Sequence, residues 1–415
     1  MISSPVTLLL VFLSTLLVLL FIHSERAAFA KRARRHVGAR QAVHRTPTPR
    51  VGGLAIAVGI LSGALLSGDD LFAALLWSVL PIFVVGLLED LGPDTPPALR
   101  LGVASLSAVL AIFVLGVYIH RLDLAAADWL LGIPLVAMGF SVFASAGMTH
   151  AMNLVDGLNG LSSAVVITIM GAFGYVAWSY GHADLLFMSL TVCTAFLGFM
   201  CVNFPHGKIF LGDAGAYSVG HLIAWNAILL LNREPEVSAW GILLILLWPV
   251  LDTVFAMTRR LVAGHSMSQP DRLHYHHVLM RLVLLATPKS VGLERANPLG
   301  SALTWPLVAA PSALGVLLIA DAGKAIAGVV LFSALYVATY HALVRRAVKF
   351  RNILGLRPPQ RAIRHLKNSK EKRPEAAGGL GSCSQTCNRY SELKNIKRWL
   401  APCLKCLCLK YPCLK

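Results

Sequence analysis

Three short segments of this chain carry carboxylates whose spacing could support metal or phosphate chemistry. Glu89 and Asp90 are adjacent at the end of a run of 18 residues without a charge. Asp156 lies in the segment NLVDGLNG, and Asp213 lies in FLGDAG. Adjacent carboxylates repel one another unless a cation is near, and oxygen ligands beside a phosphate group suit Mg²⁺. Simpler interpretations stay open at this point: an acidic pair in solvent, a tight turn between helices, or a carboxylate that interacts with a helix dipole.

A fourth segment, PDRLHYHH, places three histidines within four residues, beside Asp271 and Arg272. These histidines are His274, His276 and His277. Neighbouring His276 and His277 do not easily serve one tetrahedral zinc ion. We therefore favour a group of donors for a phosphate chain over a zinc site or an ordinary surface loop.

A fifth segment, TPTPRVGG, covers residues 46–53. Its prolines stiffen an extended entry, and its glycines permit a close approach of another backbone. A helix that begins with proline in its first turn is the alternative interpretation.

The composition shows what kind of scaffold must hold these segments. Of the 415 residues, 56% are hydrophobic and 14% are charged, whereas soluble chains average roughly 45–50% and about 25%. The mean hydropathy is +0.67. These values exclude a disordered chain, a collagen-like chain and an ordinary soluble globule. The net charge of +17 could indicate nucleic acid, but most basic residues flank apolar segments or lie in the tail, so no nucleic-acid partner is expected.

The elements that position the polar segments are predicted to be membrane-spanning helices, each of which needs about 20 mostly apolar residues. We predict an all-α, polytopic integral membrane protein with about 11 transmembrane helices. The predicted spans are 4–23, 51–68, 71–88, 101–120, 129–147, 161–180, 185–203, 214–232, 237–257, 302–320 and 325–344.

The distribution of Lys and Arg predicts which way the spans face. With the N-terminus outside, the cytoplasmic loops hold 16 of the 37 basic residues, the outer loops hold three, and the tail from Arg345 holds 18. This asymmetry follows the positive-inside rule. The first span is interpreted as an anchor because its positive charges follow it, whereas those of a signal peptide come first. The polar segments fall in or beside the cytoplasmic loops 24–50, 89–100, 148–160, 204–213 and 258–301, which predicts an active site on the cytoplasmic face.

Taken together and in this order, the five segments resemble the polyprenyl-phosphate N-acetylhexosamine-1-phosphate transferases. The resemblance covers roughly residues 1–350, and NLVDGLNG, FLGDAG and PDRLHYHH are its most specific motifs. The TPTPR start and the D-R-x-H-x-H-H form are more similar to the N-acetylglucosaminyl branch of the superfamily than to the muramoyl-pentapeptide branch.

The resemblance implies an enzyme that transfers an N-acetylhexosamine 1-phosphate from a UDP-sugar to undecaprenyl phosphate or another polyprenyl phosphate and releases UMP. It implies a bundle of about ten or eleven transmembrane helices with bound Mg²⁺, for which Mn²⁺ could substitute. The expected location is the inner (plasma) membrane. The expected role is the initiating step of a cell-envelope polysaccharide such as lipopolysaccharide O-antigen. Membrane lipids are expected partners, and a second copy of the chain is a further candidate.

The resemblance also assigns roles to residues. The expected catalytic acids are Asp90, Asp156, Asp213 and Glu89, and the expected ligands of Mg²⁺ are Asp213 and Asp156. The expected substrate-binding residues are Asn153, Gly157, Leu158, Asn159, Asn203, Phe210, Arg272, His274, His276 and His277. In this scheme the Glu89–Asp90 pair lies near the lipid phosphate, and the histidines contact the diphosphate or the sugar. The nucleoside site is lined by Gly157, Leu158, Asn159, Asn203 and Phe210.

This chain departs from the family pattern at four positions. Glu89 stands where the first acid of the pair is usually Asp, and Ala216 follows the Gly-Asp-x-Gly motif where Ser is usual. His150 occupies a position where Asn is common, and Asn159 replaces the second acid of the DGLDG form. These departures leave the core chemistry in place and weaken any assignment of the sugar.

The chemistry itself needs no strong base. The second pKa of a phosphate monoester is about 6, so the lipid phosphate is mostly a dianion at neutral pH. Asp90 is therefore expected to position the phosphate, and a two-step route through an aspartyl-phosphate stays open. One rival class is a transporter with cytoplasmic gating loops, whose acids should lie deep in its spans. Another is a membrane scaffold whose basic tail binds anionic lipid.

The composition changes after residue 350, so we predict a transferase domain over 1–350 and a basic, Cys-rich cytoplasmic tail over 351–415. Six of the eight cysteines lie between Cys383 and Cys413. In the reducing cytoplasm disulfides are not expected. A flexible or membrane-associated tail is favoured over a zinc site.

Overall fold

The chain folds as a bundle of α-helices. The structure is a computed structural model that describes residues 5–25, 48–92, 95–264, 271, 273–287 and 292–353. These ranges contain fourteen α-helices and no β-strand, which confirms the all-α prediction. The helices are α1 (Pro5–Ser24), α2 (Gly52–Ser67), α3 (Asp70–Leu91), α4 (Pro97–Leu115), α5 (Ala125–Leu131), α6 (Pro134–Val155), α7 (Leu161–Ser179), α8 (Ala183–Asn203), α9 (Gly212–Arg233), α10 (Ala239–Ile245), α11 (Leu247–Ala263), α12 (Tyr275–Ala286), α13 (Leu293–Leu317) and α14 (Ala322–Ile353).

Within the described ranges, nine helices are long and apolar enough to cross a membrane: α1, α3, α4, α6, α7, α8, α9, α13 and α14. The pair α10 and α11 adds a tenth candidate if it is counted as one span. Helix α2 is apolar but has only 16 residues, fewer than a span usually needs. The chain is therefore a polytopic membrane protein, and its N-terminus-outside orientation stays a prediction.

The predicted ninth span, 237–257, is not a straight helix. It breaks at Leu246, and the axes of α10 and α11 differ by 80°. Pro249 provides a physical reason, because its ring would clash with the carbonyl of Ile245, four residues earlier, in a continuous helix. The break turns α11 away from the axis of α10.

Two predicted loops contain helix instead. The first is loop 148–160: the helix predicted as the fifth span, 129–147, begins later, at Pro134, and continues into this loop as far as Val155. Proline is favoured in the first turn of a helix, and here it marks a start that hydropathy alone does not locate. The predicted loop 258–301 likewise contains α12 and the first turns of α13, so His276 and His277 lie on a helix.

Helix α9 forms the centre of the bundle, because 94% of its most apolar 18-residue window is buried. A helix that is apolar on every side is expected to be surrounded by protein or lipid. Small residues bring neighbouring backbones close to it: a Cβ on Gly86 of α3 would lie 2.6 Å from Ala214, and one on Gly220 would lie 2.6 Å from Thr149 of α6. The functional segment FLGDAG therefore opens the most enclosed helix.

The helix ends form two opposite faces. On the first, which we call the site face, α3 ends beside the start of α9, and Gly52 at the start of α2 bonds to Phe210. On the other, the far face, Arg121 donates to the carbonyls of Leu231, Glu234 and Val237. All five polar segments belong to the site face wherever the structure describes them.

Substitution of Gly53 by Ala is expected to destabilise the protein strongly, because its Cβ would lie 2.3 Å from the backbone nitrogen of Gly215. Overpacking of a tight core typically destabilises by about 1–3 kcal/mol. Thermal unfolding in detergent measures the effect. Gly139→Ala in α6 is the matched control, since nothing lies within 4 Å of its added Cβ. Equal melting temperatures for the two variants would contradict the close α2–α9 contact.

Candidate active site

The site is built around the first turn of α9, which is capped by a side chain from another helix. Both carboxylate oxygens of Asp90, at the end of α3, accept hydrogen bonds from the backbone N–H groups of Asp213 (2.9 Å) and Ala214 (3.0 Å). The first N–H groups of a helix have no partner within the helix, and a carboxylate there also interacts favourably with the helix dipole. Asp90 therefore fixes the backbone that carries Asp213.

The segments TPTPRVGG and FLGDAG pair along their backbones beside this cap. Phe210 N–H donates to the Pro49 carbonyl (2.9 Å), and Gly53 N–H donates to the Leu211 carbonyl (2.7 Å). Gly212 has φ of +79°, and a Cβ on it would lie 2.2 Å from the carbonyl oxygen of Arg50. Only glycine fits this position, and the pairing places Arg50 over the start of α9.

Arg50 and Asn153 hold the Asp213 side chain. Asp213 Oδ1 accepts from Arg50 Nη2 at 3.2 Å and from Asn153 Nδ2 at 3.0 Å. Arg50 Nε also lies 3.9 Å from Asp90 Oδ1. Burial alone would lower the pKa of the Arg50 guanidinium, but the charges of Asp213 and Asp90 outweigh it and the pKa is raised. Arg50 therefore stays cationic and compensates two buried carboxylates.

Glu89 turns away from this cluster and binds a different cation. Its carboxylate lies 3.0 Å from Arg100 Nη1 and accepts a short hydrogen bond from Thr95. Arg100 also reaches the hydroxyl of Tyr217 on α9, at 3.3 Å. The longer side chain at this position thus connects α3, α4 and α9 on the site face.

Asp156 follows α6 and shares the electrostatic environment of Asp213. Loss of water around its carboxyl raises the pKa of Asp156 to about 6, and the charges of Arg50 and Asp213 act on it as well. The next residue, Gly157, lies against the histidines of α12: an added Cβ would lie 2.6 Å from His276 Nε2. The structure therefore brings NLVDGLNG, FLGDAG and the histidine segment together.

The amide side chains of two predicted nucleoside-site residues are used within the protein. Asn203 accepts from Gly160 N–H (2.6 Å) and donates to the Ile209 carbonyl (2.8 Å). Asn159 donates to the Pro205 carbonyl (2.8 Å) and, through its backbone N–H, to Asn297 (2.8 Å). These bonds fix the loop after α6 against the loop after α8. A direct contact of these residues with substrate stays a prediction, as it does for buried Leu158 and partly buried Phe210.

The three histidines form one cluster in which their environments differ. The ring centroids of His276 and His277 are 4.3 Å apart, and those of His274 and His276 are 5.8 Å apart. Burial lowers the pKa of His276 to about 4 and that of His277 well below its ordinary value. His274 is instead bonded to Asp252, and its pKa is raised: burial opposes the shift, and the Asp252 charge outweighs it. Arg272 lies outside the described residues.

Sequence reasoning missed three residues of this assembly. Arg50 was considered only as part of the basic loop 24–50, whose charge was expected to offset that of the substrates. Arg100 was the lone basic residue of its predicted loop and was assigned no role. Asp252 was noted only as an interruption of the ninth span. An ionisable residue inside an apolar segment is a candidate functional residue by default, so this signal was available for Asp252.

The donor set of the site fits Mg²⁺. Within the described ranges, no group of three or more His, Cys, Asp and Glu side chains is arranged to hold a metal ion. Mg²⁺ usually takes one or two protein carboxylates and completes its shell with water and substrate phosphate oxygens. The carboxylates of Asp213 and Asp156, of which the first acts electrostatically on the second, are two oxygen donors of the kind that Mg²⁺ accepts.

Comparison with known proteins identifies the family. The model of glycosyl transferase family 4 matches residues 72–231. A probable undecaprenyl-phosphate N-acetylglucosaminyl 1-phosphate transferase of Bacillus subtilis (strain 168) is 33% identical over 249 residues, which cover 57% of this chain and 67% of the relative. The chain therefore belongs to glycosyl transferase family 4, among the polyprenyl-phosphate N-acetylhexosamine-1-phosphate transferases.

Two further relatives have related names. An undecaprenyl-phosphate alpha-N-acetylglucosaminyl 1-phosphate transferase of Haemophilus influenzae is 29% identical over 252 residues, covering 57% of this chain and 69% of the relative. A decaprenyl-phosphate N-acetylglucosaminephosphotransferase of Mycolicibacterium smegmatis is 29% identical over 279 residues, covering 58% and 67%. The lipid named differs between these relatives, whereas the sugar named is the same.

Proposed function

We propose that this protein transfers N-acetylhexosamine 1-phosphate from a UDP-sugar to a polyprenyl phosphate, releases UMP, and thereby initiates a cell-envelope polysaccharide. N-acetylglucosamine is the favoured sugar, because the relatives described above carry it in their names. The observation that carries the proposal is the capped start of α9, where Asp213 meets Arg50 and Asn153 at a helix end. A lipid tail can stay in hydrocarbon there while a nucleotide arrives from water.

In the proposed reaction, a phosphate oxygen of the lipid attacks the β-phosphorus of the UDP-sugar. The bond from that phosphorus to the bridging oxygen breaks, UMP leaves, and a lipid diphosphate sugar forms. Phosphoryl transfer depends mainly on alignment and charge neutralisation. Arg50 and Arg100 supply positive charge on the site face, and the lipid phosphate, mostly a dianion above pH of about 6, needs no strong base.

Asp213 and Asp156 would hold Mg²⁺. When bound, the ion neutralises phosphate charge and aligns the reacting groups. Asp90 is assigned a positioning role because both of its oxygens are engaged by backbone N–H groups. Neutral His276 and His277 can donate hydrogen bonds to phosphate or sugar oxygens without adding charge.

The transporter alternative is disfavoured by the position of the acids. Asp90, Asp156 and Asp213 lie at helix ends on one face, whereas a transport pathway usually places its acids near the membrane midplane. Family membership also favours the enzyme. We therefore place the reaction on the site face and propose that this face is cytoplasmic, in the inner (plasma) membrane.

The test uses purified protein in detergent with undecaprenyl phosphate, Mg²⁺ and a panel of radiolabelled UDP-sugars. We expect label to enter the lipid phase from one donor, with an equal amount of UMP in the aqueous phase. Reactions without lipid phosphate, or with a GDP-sugar, are the controls. Folded protein that transfers label from no UDP-sugar, yet moves UDP-sugar into proteoliposomes, would contradict the proposal and favour the transporter.

Removal of divalent cations is expected to reduce UMP release to background, because two substrate anions would then meet without a compensating cation at Asp213 and Asp156. Activity should return on addition of Mg²⁺ and, to some extent, of Mn²⁺. The measurement is UMP release after EDTA treatment and readdition of each ion, with Ca²⁺ as a comparison. Full activity in EDTA would exclude a metal role for these carboxylates.

A further inference from the structure

Asp252 is the acidic residue of α11, and the bend before this helix places it against the histidine segment. Its Oδ2 atom lies 2.7 Å from His274 Nδ1, and its Oδ1 atom accepts from the Tyr275 backbone N–H at 3.0 Å. The Tyr336 hydroxyl of α14 donates to the same oxygen. The Asp252 side chain is 1% exposed, so three donors rather than water satisfy this carboxylate.

Aromatic rings enclose the pair. The Trp248 ring lies edge-on to Tyr275 and Tyr336, at centroid distances of 5.2 Å and 5.5 Å. Phe255 lies edge-on to Tyr336 at 5.5 Å. Exclusion of water strengthens a charge-assisted hydrogen bond and makes an unpaired buried carboxylate very unfavourable. The enclosure therefore favours a charged partner for Asp252.

In the part of the chain that the structure describes, His274 is the one imidazole of the cluster that is hydrogen-bonded to a carboxylate. Both ring nitrogens of His276 are buried without a hydrogen-bond partner there, whereas His274 is bonded to the carboxylate. The charged and titratable groups that face His274 are Asp252 and Arg259 from α11, Asp271 from the preceding loop, and His276 and His277 from α12. Tyr336 of α14 contacts the other oxygen of the same carboxylate.

We propose that Asp252 is a positioning residue that fixes His274 as the single imidazolium of the histidine cluster, which leaves His276 and His277 neutral. The inference rests on the proposed function, because the imidazolium acts on an anionic substrate diphosphate. A protonated imidazole donates from both nitrogens. Asp252 engages Nδ1, so the orientation of the ring sets the direction of the second donor, Nε2–H.

Asp252→Asn tests this inference, since it keeps the size of the side chain and an oxygen acceptor but removes the charge. Without the Asp252 charge nothing outweighs burial, so the pKa of His274 in the variant should fall below the ordinary imidazole value of about 6.5, whereas the pair raises this pKa in the native protein. We expect a loss of kcat/KM for the UDP-sugar of about 10–100-fold at about pH 7.5 and a smaller loss at about pH 5, where more of the variant regains the proton on His274.

Tyr340→Phe is the matched control for a merely structural role. The Tyr340 hydroxyl donates to the Leu273 carbonyl (2.9 Å) and thus holds the same loop without contributing a carboxylate. Its removal should change activity by the same factor at both pH values. Asp252→Glu, which keeps the charge, should retain more activity than Asp252→Asn at high pH and also serves if the Asn variant does not fold.

The outcomes separate the two proposals. If the native protein transfers no sugar phosphate, the proposed function fails and this inference fails with it. If the native protein is active and the Asp252→Asn loss is equal at both pH values, Asp252 is only structural and the transferase proposal stands. A loss for Asp252→Glu that grows with pH as steeply as that for Asp252→Asn would also overturn the inference. A pH-dependent loss confined to the uncharged variant supports it.

Discussion

Asp213→Asn is expected to lower the rate of UMP release by about a thousandfold and to leave the melting temperature nearly unchanged. The carboxylate lies at the start of α9 between Arg50 and Asn153, where its charge can hold a cation against two substrate phosphates. An amide keeps the volume and one oxygen but not the charge. Its effect on stability is small because the lost attraction to Arg50 is offset by less repulsion from Asp90, which faces the same guanidinium.

The control for Asp213→Asn is Asp184→Asn. Asp184 pairs with Arg233 at 2.6 Å, at the opposite end of α9, about 30 Å away by the rise of an α-helix. The Asp184→Asn substitution removes one carboxylate charge from an ion pair of the same bundle, at a position remote from the site. We expect normal UMP release from this variant. If the Asp213 variant retained more than a tenth of native activity, Asp213 would have no part in holding the metal.

Asp90→Asn should instead reduce both activity and stability. The carboxylate accepts two backbone hydrogen bonds at the start of α9, and the NH₂ group of Asn would oppose one of those donors. Loss of a helix cap and of a buried hydrogen bond destabilises by about 1–3 kcal/mol. A displacement of Asp213 by about 1 Å can lower the rate by about a hundredfold. Thermal unfolding and UMP release are measured on the same preparation.

Asp69→Asn provides the comparison, because Asp69 caps the start of α3 through one bond to the Phe72 N–H, at 2.8 Å, on the far face. Asn is itself a good capping residue, so this change should lower stability little and activity not at all. A different pattern for Asp90→Asn, with activity lost and the melting temperature retained, would identify Asp90 as a group that acts on the substrate directly.

The features that follow from local composition were predictable. Apolar segments of about 20 residues identified the helices, and the acids and histidines at their ends identified the segments that meet on the site face. The contacts within the site were not predictable in the same way, because they depend on pairs far apart in the sequence. The bond between Asp90 and the start of α9 joins residues 123 positions apart, and no local pattern distinguishes such a cap from a metal ligand.

One wrong prediction and one incomplete interpretation have identifiable physical causes. The straight ninth span was predicted from hydropathy. Hydropathy does not reveal that the Pro249 ring would clash with the carbonyl of Ile245 in a continuous helix. Once the helix bends there, Asp252 becomes a partner of His274 rather than an interruption. Glu89 was judged by its departure from the family pattern, and its partner Arg100 lies 11 residues away, on the next helix. In both cases the significance of an acid depended on a cation that only the fold brings near.

The pairing of residues 49–53 with 210–212 has a consequence for biosynthesis. Chains are made from the N-terminus, so α2 and α3 enter the membrane well before α9 exists. During that interval Asp90 lacks the N–H groups that satisfy it, and Gly52 and Gly53 of α2 lack the backbone against which they pack. The early helices therefore remain without these contacts until about half of the chain has been made. The site can therefore assemble only late in synthesis, and a chain stopped before residue 212 lacks both the Asp90 cap and the α2–α9 contact.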